Sequence, residues 1–323
     1  MMRPLPIIFS IVGITLTILL SIFINDSLVS VKGAEKSIEQ TVTQTGEQPQ
    51  QKQETQIASA GVFSPPNMEE VPEGKMKEDI LFGYNLVNET HVYAEEYVGN
   101  NLSCTSCHAG AGLTEVASLV GVMADYPKYI ARSGDIVTIE ERINGCMVRS
   151  MNGKKFETGS DELEAMVAYF KYISEGVTIG EERPWAKSAD MKVVPTPNVN
   201  SGEELYQQSC IACHAADGSG NGANIGPALW GGNSFNDGAG IARVSKMAGY
   251  IQAYMPVGSP GTLSDQDAAD LAAYILSQDR PEWKKHDTDW PNGGKPSDII
   301  TKETRKQIQD GTVNWDEILA DFK

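Results

Sequence analysis

Basic residues are scarce in this chain. Its 323 residues carry 26 Lys and Arg against 43 Asp and Glu, a formal net charge of -17. No basic stripe interrupts that balance, which argues against nucleic-acid binding. The acidity serves solubility first, and second an acidic surface that meets a basic redox partner. Aromatic residues are few, at 7%, so side chains alone leave the cores short of large filler. Alternation at period two is almost missing, which points away from sheets and toward an all-α fold. Cysteine and histidine are also sparse, at five and four residues.

One long apolar run is present. Pro4 to Asn25 is uncharged and mostly hydrophobic, long enough to span a bilayer and long for a signal-peptide core. Ser30-Val31-Lys32-Gly33-Ala34 is a poor cleavage site. Residues 1–26 are therefore expected to be an uncleaved transmembrane anchor in preference to a cleaved signal segment. Either way, the remainder lies outside the cytoplasm. Residues 27–65 are rich in Gln, Thr and Glu and read as a flexible tether.

Two similar units follow, at 66–180 and 196–281. In the first, Leu163, Met166, Val167 and Phe170 form one apolar helix face near the end. In the second, Ser264 and Asp267 suit the start of a closing helix. Gly83 and Gly202 lie in the opening helices, and Tyr169, Phe170 and Tyr274 in the closing ones. That pattern predicts a tight crossing of first and last helices in each unit. Residues 181–195 form a linker, and the tail, 282–323, carries Trp283, Trp290 and Trp315. The tail either packs over a unit or trails.

Four of the five cysteines fall in Cys104-Thr-Ser-Cys107-His108 and Cys210-Ile-Ala-Cys213-His214. Cys-x-x-Cys-His is the attachment site of c-type haem. Its spacing lets both thiols bond to the vinyl groups of one porphyrin, while the histidine binds the iron. A lone Cys-x-x-Cys also suits a redox disulfide or half a zinc site. Here both copies carry the histidine, and each opens a helical repeat of an exported chain. Two covalently attached haems are expected, each forming the core of its unit in a class I-like cytochrome c fold. His91 and His286 have no motif and are expected at the surface.

Each iron has a far face. In the second unit Met255, before Pro256 on a loop ahead of Ser264, suits a thioether ligand, with Met247 as its rival. In the first unit Cys146, Met147 and Met151 compete. Thr138-Ile-Glu-Glu141 reads as a capping box and Gly153 as a stop. Between them Arg142, Cys146 and Ser150 share one helix face. An arginine, a thiol and a hydroxyl in line suit an anion site beside a thiolate better than a packing face. Arg132 is close enough in sequence to reach the same place. These features favour Cys146, although Met147 with a buried Cys146 stays open.

These residues resemble those of the dihaem thiosulfate dehydrogenases. The likeness covers roughly residues 75 to 280. It is carried by FGYNLV, YVGNNLSCTSCH, ERINGCMVRSMNGK and the Tyr254-Met255-Pro256 stretch. The resemblance implies ligation of haem 1 by His108 and Cys146, and of haem 2 by His214 and Met255. It also implies a catalytic pocket at haem 1 built from Cys146, Arg132, Arg142 and Ser150. Some relatives carry a lysine where this chain has Tyr254, so lysine-to-methionine ligand exchange is not expected. The implied activity joins two thiosulfates into tetrathionate and is reversible in principle as tetrathionate reduction. Electrons would pass to a small c-type cytochrome or another extracytoplasmic acceptor. The alternatives are a non-catalytic dihaem electron carrier and a subunit of a sulfur-oxidising complex.

A pyridine haemochrome assay of the mature chain is expected to give two haems per polypeptide. The double substitution Cys104→Ala, Cys107→Ala should leave one.

Overall fold

The computed structural model describes residues 63–323 apart from Lys187. The expected anchor and nearly all of the tether lie outside these residues. Among the described residues no helix is long and apolar enough to cross a membrane.

The first half begins with α1 (Lys77–Asn88) and the short α2 (Thr90–Tyr93), followed by 3-10 turns through the first haem motif. A small antiparallel hairpin comes next, β1 (Lys128–Ile130) against β2 (Asp135–Val137), with Tyr129 opposite Ile136. Strands of three residues are too short to show a period-two pattern. Then come α3 (Ile139–Arg149) and α4 (Asp161–Tyr172). The second half has α5 (Val199–Ser209), α6 (Ile211–His214), α7 (Val244–Tyr254) and α8 (Asp265–Ser277). The tail adds α9 (Lys302–Gln309) and α10 (Trp315–Ile318).

Helix starts follow local chemistry. Thr138 and Glu141 form a reciprocal capping box at α3, as do Ser264 and Asp267 at α8. Each satisfies amides that have no partner within the helix. The helix α3 stops at Arg149, short of Gly153, whose N–H instead bonds the Met147 carbonyl at 2.9 Å.

The expected crossings are present in both halves. In the first, α1 lies on α4, and a Cβ on Gly83 would sit 2.0 Å from the Ala165 carbonyl oxygen. In the second, α5 lies on α8, and a Cβ on Gly202 would sit 2.0 Å from the Asp270 carbonyl oxygen. Any side chain would force these backbones apart. Tyrosines fix each crossing further. Tyr169 and Tyr206 are fully buried, and their hydroxyls donate to the carbonyls of Ala111 (2.8 Å) and Ala215 (2.7 Å).

The linker and tail are both packed. In the linker, the Met191 N–H bonds the Ser245 carbonyl on α7, and Trp185 Nε1 donates to the Val120 carbonyl. Val194 N–H bonds the Phe322 carbonyl at 2.8 Å, joining the linker to the end of the chain. The tail is held by buried charge. Asp237 is fully buried and accepts from Arg305 Nη1 (3.1 Å), the Trp283 N–H (2.6 Å) and His286 Nε2 (2.8 Å). Burial alone would raise its pKa, but these partners outweigh burial and hold the carboxyl below its ordinary value. His286 is therefore not a free surface residue. Neither is His91, whose Nδ1 meets Ser103 Oγ at 2.8 Å.

A second clasp reaches the first half. Asp289 accepts from Arg132 Nε (2.9 Å), Arg149 Nη2 (3.1 Å) and Trp283 Nε1 (3.2 Å). Arg132 lies over the Trp290 ring and Arg149 over Trp283.

Replacing Asp237 by Ala leaves Arg305 buried without its carboxylate, a change expected to cost about 3–5 kcal/mol. Urea unfolding of the haem-loaded protein checks this, and a loss near zero would show that the cluster does not hold the tail.

Candidate haem and substrate site

Two cavities open beside the crossings. The one in the second half is about 280 Å³ and is lined by Cys210, Cys213, His214, Met247 and Met255 among mainly apolar neighbours. The other, about 490 Å³, is lined by Cys104, His108, Arg142, Cys146 and Met147.

The residues fit c-type haem. Each motif histidine spends its Nδ1–H on a carbonyl, His108 on Ala117 (2.6 Å) and His214 on Pro227 (2.9 Å). That fixes the ring and leaves Nε2 as the free donor for iron. Burial lowers the pKa of both histidines and so favours the neutral, ligating form. All five cysteines are free of disulfides. Burial pushes the Cys104 thiol up to about 12, and the Cys107 and Cys210 thiols up to about 11. Together with the histidine that follows each pair, the two thiols of each motif suit covalent attachment of one porphyrin. No cluster of three or more His, Cys, Asp or Glu suited to a bare metal ion exists among the described residues.

The helix α3 is secured at both ends. Its capping box holds the start. At its end Asn236, from the second half, donates Nδ2 to the Val148 carbonyl (2.9 Å), and its N–H bonds the Arg149 carbonyl (3.2 Å). Asn100 Nδ2 donates to the Ser150 carbonyl at 2.8 Å. The last carbonyls of a helix need such partners. The turn bearing Cys146 therefore cannot drift from the cavity.

Arg142 and Cys146 meet there, with Arg142 Nη1 donating to Cys146 Sγ at 3.0 Å. The sulfur, and secondarily Tyr126, raise the Arg142 pKa above its ordinary value, so the guanidinium stays charged. The structure does not bring all four catalytic candidates together. Arg132 and Ser150 are not among the residues of this cavity wall. Arg132 is drawn off by Asp289 and Trp290, and Ser150 sits past the last turn of α3 as its C-cap. Of the rival sulfurs, Met147 borders the cavity, whereas buried Met151 does not. Both Met247 and Met255 border the other cavity.

Residues 90–179 match the family described as SoxA/TsdA, cytochrome c domain, and 197–275 match Cytochrome C oxidase, cbb3-type, subunit III. The thiosulfate dehydrogenase of Psychrobacter arcticus is 38% identical over 239 residues, 72% of this chain and 73% of that protein. This chain belongs to the thiosulfate dehydrogenase family. The Allochromatium vinosum thiosulfate dehydrogenase is 37% identical over 65% of this chain and 82% of its own length. The solved thiosulfate dehydrogenase TsdBA of Marichromatium purpuratum, in its as-isolated form, superposes with a TM-score of 0.65 at 31% identity. That match covers 70% of this chain and 51% of the other, so this chain spans about half the length of the solved one. Two cytochrome c domains and two c-type haems are features of this thiosulfate dehydrogenase family member.

Sequence reasoning missed several cavity residues. Tyr126, Lys246, Tyr250 and Tyr254 all line the cavity of His108 and Cys146, the last three from α7 of the second half. The signal was available in Lys246, Tyr250 and Tyr254, which recur every fourth residue on one face of a helix.

Met255→Leu is expected to abolish the near-infrared band of thioether-ligated ferric haem, with both haems still attached. Met247→Leu should leave the band in place.

Proposed function

We propose that this protein is a thiosulfate dehydrogenase that couples two thiosulfates into one tetrathionate and releases two electrons. The observation that carries the reading is the bond from Arg142 to Cys146 Sγ in the cavity of His108. A pure electron carrier has no use for a guanidinium aimed at a thiol, and the family relatives are thiosulfate dehydrogenases.

We assign His108 and Cys146 to haem 1, and His214 and Met255 to haem 2. Held by these residues, the haems would supply the oxidising chemistry for two electrons on their way to an external acceptor. The protein must overcome charge. Two dianions held ~4 Å apart repel by roughly 4 kcal/mol even in bulk water. Arg142 offsets this by binding sulfonate oxygens in a planar, charge-assisted contact. Lys246 adds positive charge to the same wall, although Asp190 engages it at 2.6 Å. Arg132 and Ser150, the other two expected site residues, lie off this wall, with Arg132 paired to Asp289.

Cys146 supplies the nucleophile. Released from its place as the haem 1 ligand, its thiolate bonds the sulfane sulfur of the first thiosulfate to give a cysteinyl thiosulfonate, a two-electron oxidation whose oxidant would be the bound haems. The sulfane sulfur of the second thiosulfate then attacks the sulfur bound to Cys146. The new sulfur–sulfur bond completes tetrathionate, and the bond to Cys146 breaks to restore the thiolate. Run backwards, the same steps reduce tetrathionate.

We place the protein outside the cytoplasm, with residues 1–26 as a membrane anchor and a small c-type cytochrome or similar acceptor as its partner. Support comes from the covalent haem motifs and from the uncharged apolar run between Pro4 and Asn25.

Anaerobic protein mixed with thiosulfate and ferricyanide is expected to yield tetrathionate at half the thiosulfate consumed. Cys146→Ala should abolish coupling with both haems attached. Full turnover in that variant would overturn the mechanism.

A further inference from the structure

The two cavities share a wall. Ile241 and Tyr250 line both of them. The first haem motif is divided across the same wall, with Cys104 on the haem 1 cavity and Cys107 on the haem 2 cavity. Haem 1 attached through Cys107 would therefore be tethered at the boundary between the two cavities. Tyr250 stands at that boundary on α7, between Met247 and Met255 of the second half. Its hydroxyl donates to the Cys107 carbonyl at 3.2 Å. Its ring meets Tyr254 edge-on, with centroids 5.0 Å apart.

Packing alone does not explain this tyrosine. An apolar ring would fill the same volume without aiming a hydroxyl at the backbone of the opposite half. The bond joins the helix facing haem 2 to the residue that carries haem 1. Electron tunnelling weakens steeply across non-bonded gaps, and a hydrogen bond bridges such a gap better than loose van der Waals contact.

We infer that Tyr250 is the coupling residue between the two haems, and that its phenol–Cys107 contact carries the electron from one to the other. The inference rests on the two haem sites assigned above. In each transfer ferrous haem 1 becomes ferric and ferric haem 2 becomes ferrous. Tyr250 keeps its proton and is neither oxidised nor reduced. It acts as a positioning and coupling residue and does not touch thiosulfate.

The test uses the complete protein with both haems attached. A photogenerated flavin semiquinone injects one electron, and the two haems are followed by their separate spectra as the electron redistributes. Tyr250→Phe keeps the ring and removes only the bond to Cys107. It is expected to slow redistribution several-fold, with the resting spectrum and both haem potentials unchanged. Tyr250→Leu, which also removes the ring, should slow it further. An unchanged rate in Tyr250→Phe overturns the inference on its own, whatever the stability of the leucine variant. The donor is photochemical, so the measurement stands apart from thiosulfate chemistry. A wild-type protein that redistributes electrons but makes no tetrathionate would overturn the proposed function and leave this inference intact.

Discussion

The distance between the first and last helices of each half is set by backbone meeting backbone. Gly83 against Ala165 and Gly202 against Asp270 are approaches that no methyl group permits. Everything else is arranged around that spacing. With the helices this close, the large tyrosines seal the crossing, and the space for a cofactor is left to one side. The haem motifs enter that space from 3-10 and short helical turns, with their histidines aimed by carbonyls of the following loops. Few aromatics are needed because the porphyrin fills the position that a bulky core would otherwise take.

The same architecture is used differently in the two halves. One cavity has a mainly apolar wall with two methionines. The other has two arginines, Arg142 and Arg183, two thiols, two lysines and two carboxylates, Asp125 and Asp190, on its wall. The acidic chain as a whole repels an anionic substrate. Locally, Arg142 reverses that sign. The helix carrying it is secured by Asn236 from the opposite half and by the tail through Arg149 and Asp289. The chemistry of one half thus depends on structure supplied by the other.

Much of this was legible in the sequence, for physical reasons. The Cys-x-x-Cys-His motifs are short and local, so spacing alone specifies their attachment chemistry. The capping box at Thr138 and the helix start at Ser264 are likewise local, and the structure shows both. Gly83 and Gly202 were legible as crossing points because a conspicuously small residue in an opening helix has few other uses. Less accessible were contacts made across long sequence separations. Nothing near Arg132 announces Asp289, and the bond turns Arg132 away from the cavity. His286 looked unattached because Asp237 and Arg305 are distant in the chain. Tyr250 reads as ordinary helix filler until the first haem motif is seen on its other side.

The bond between Val194 and Phe322 ties the linker to the tail. Asp289 and Arg305 belong to the same tail. None of these residues lines either cavity. The tail is thus a strap that holds the elements around the cavities from outside and leaves their walls to the chemistry.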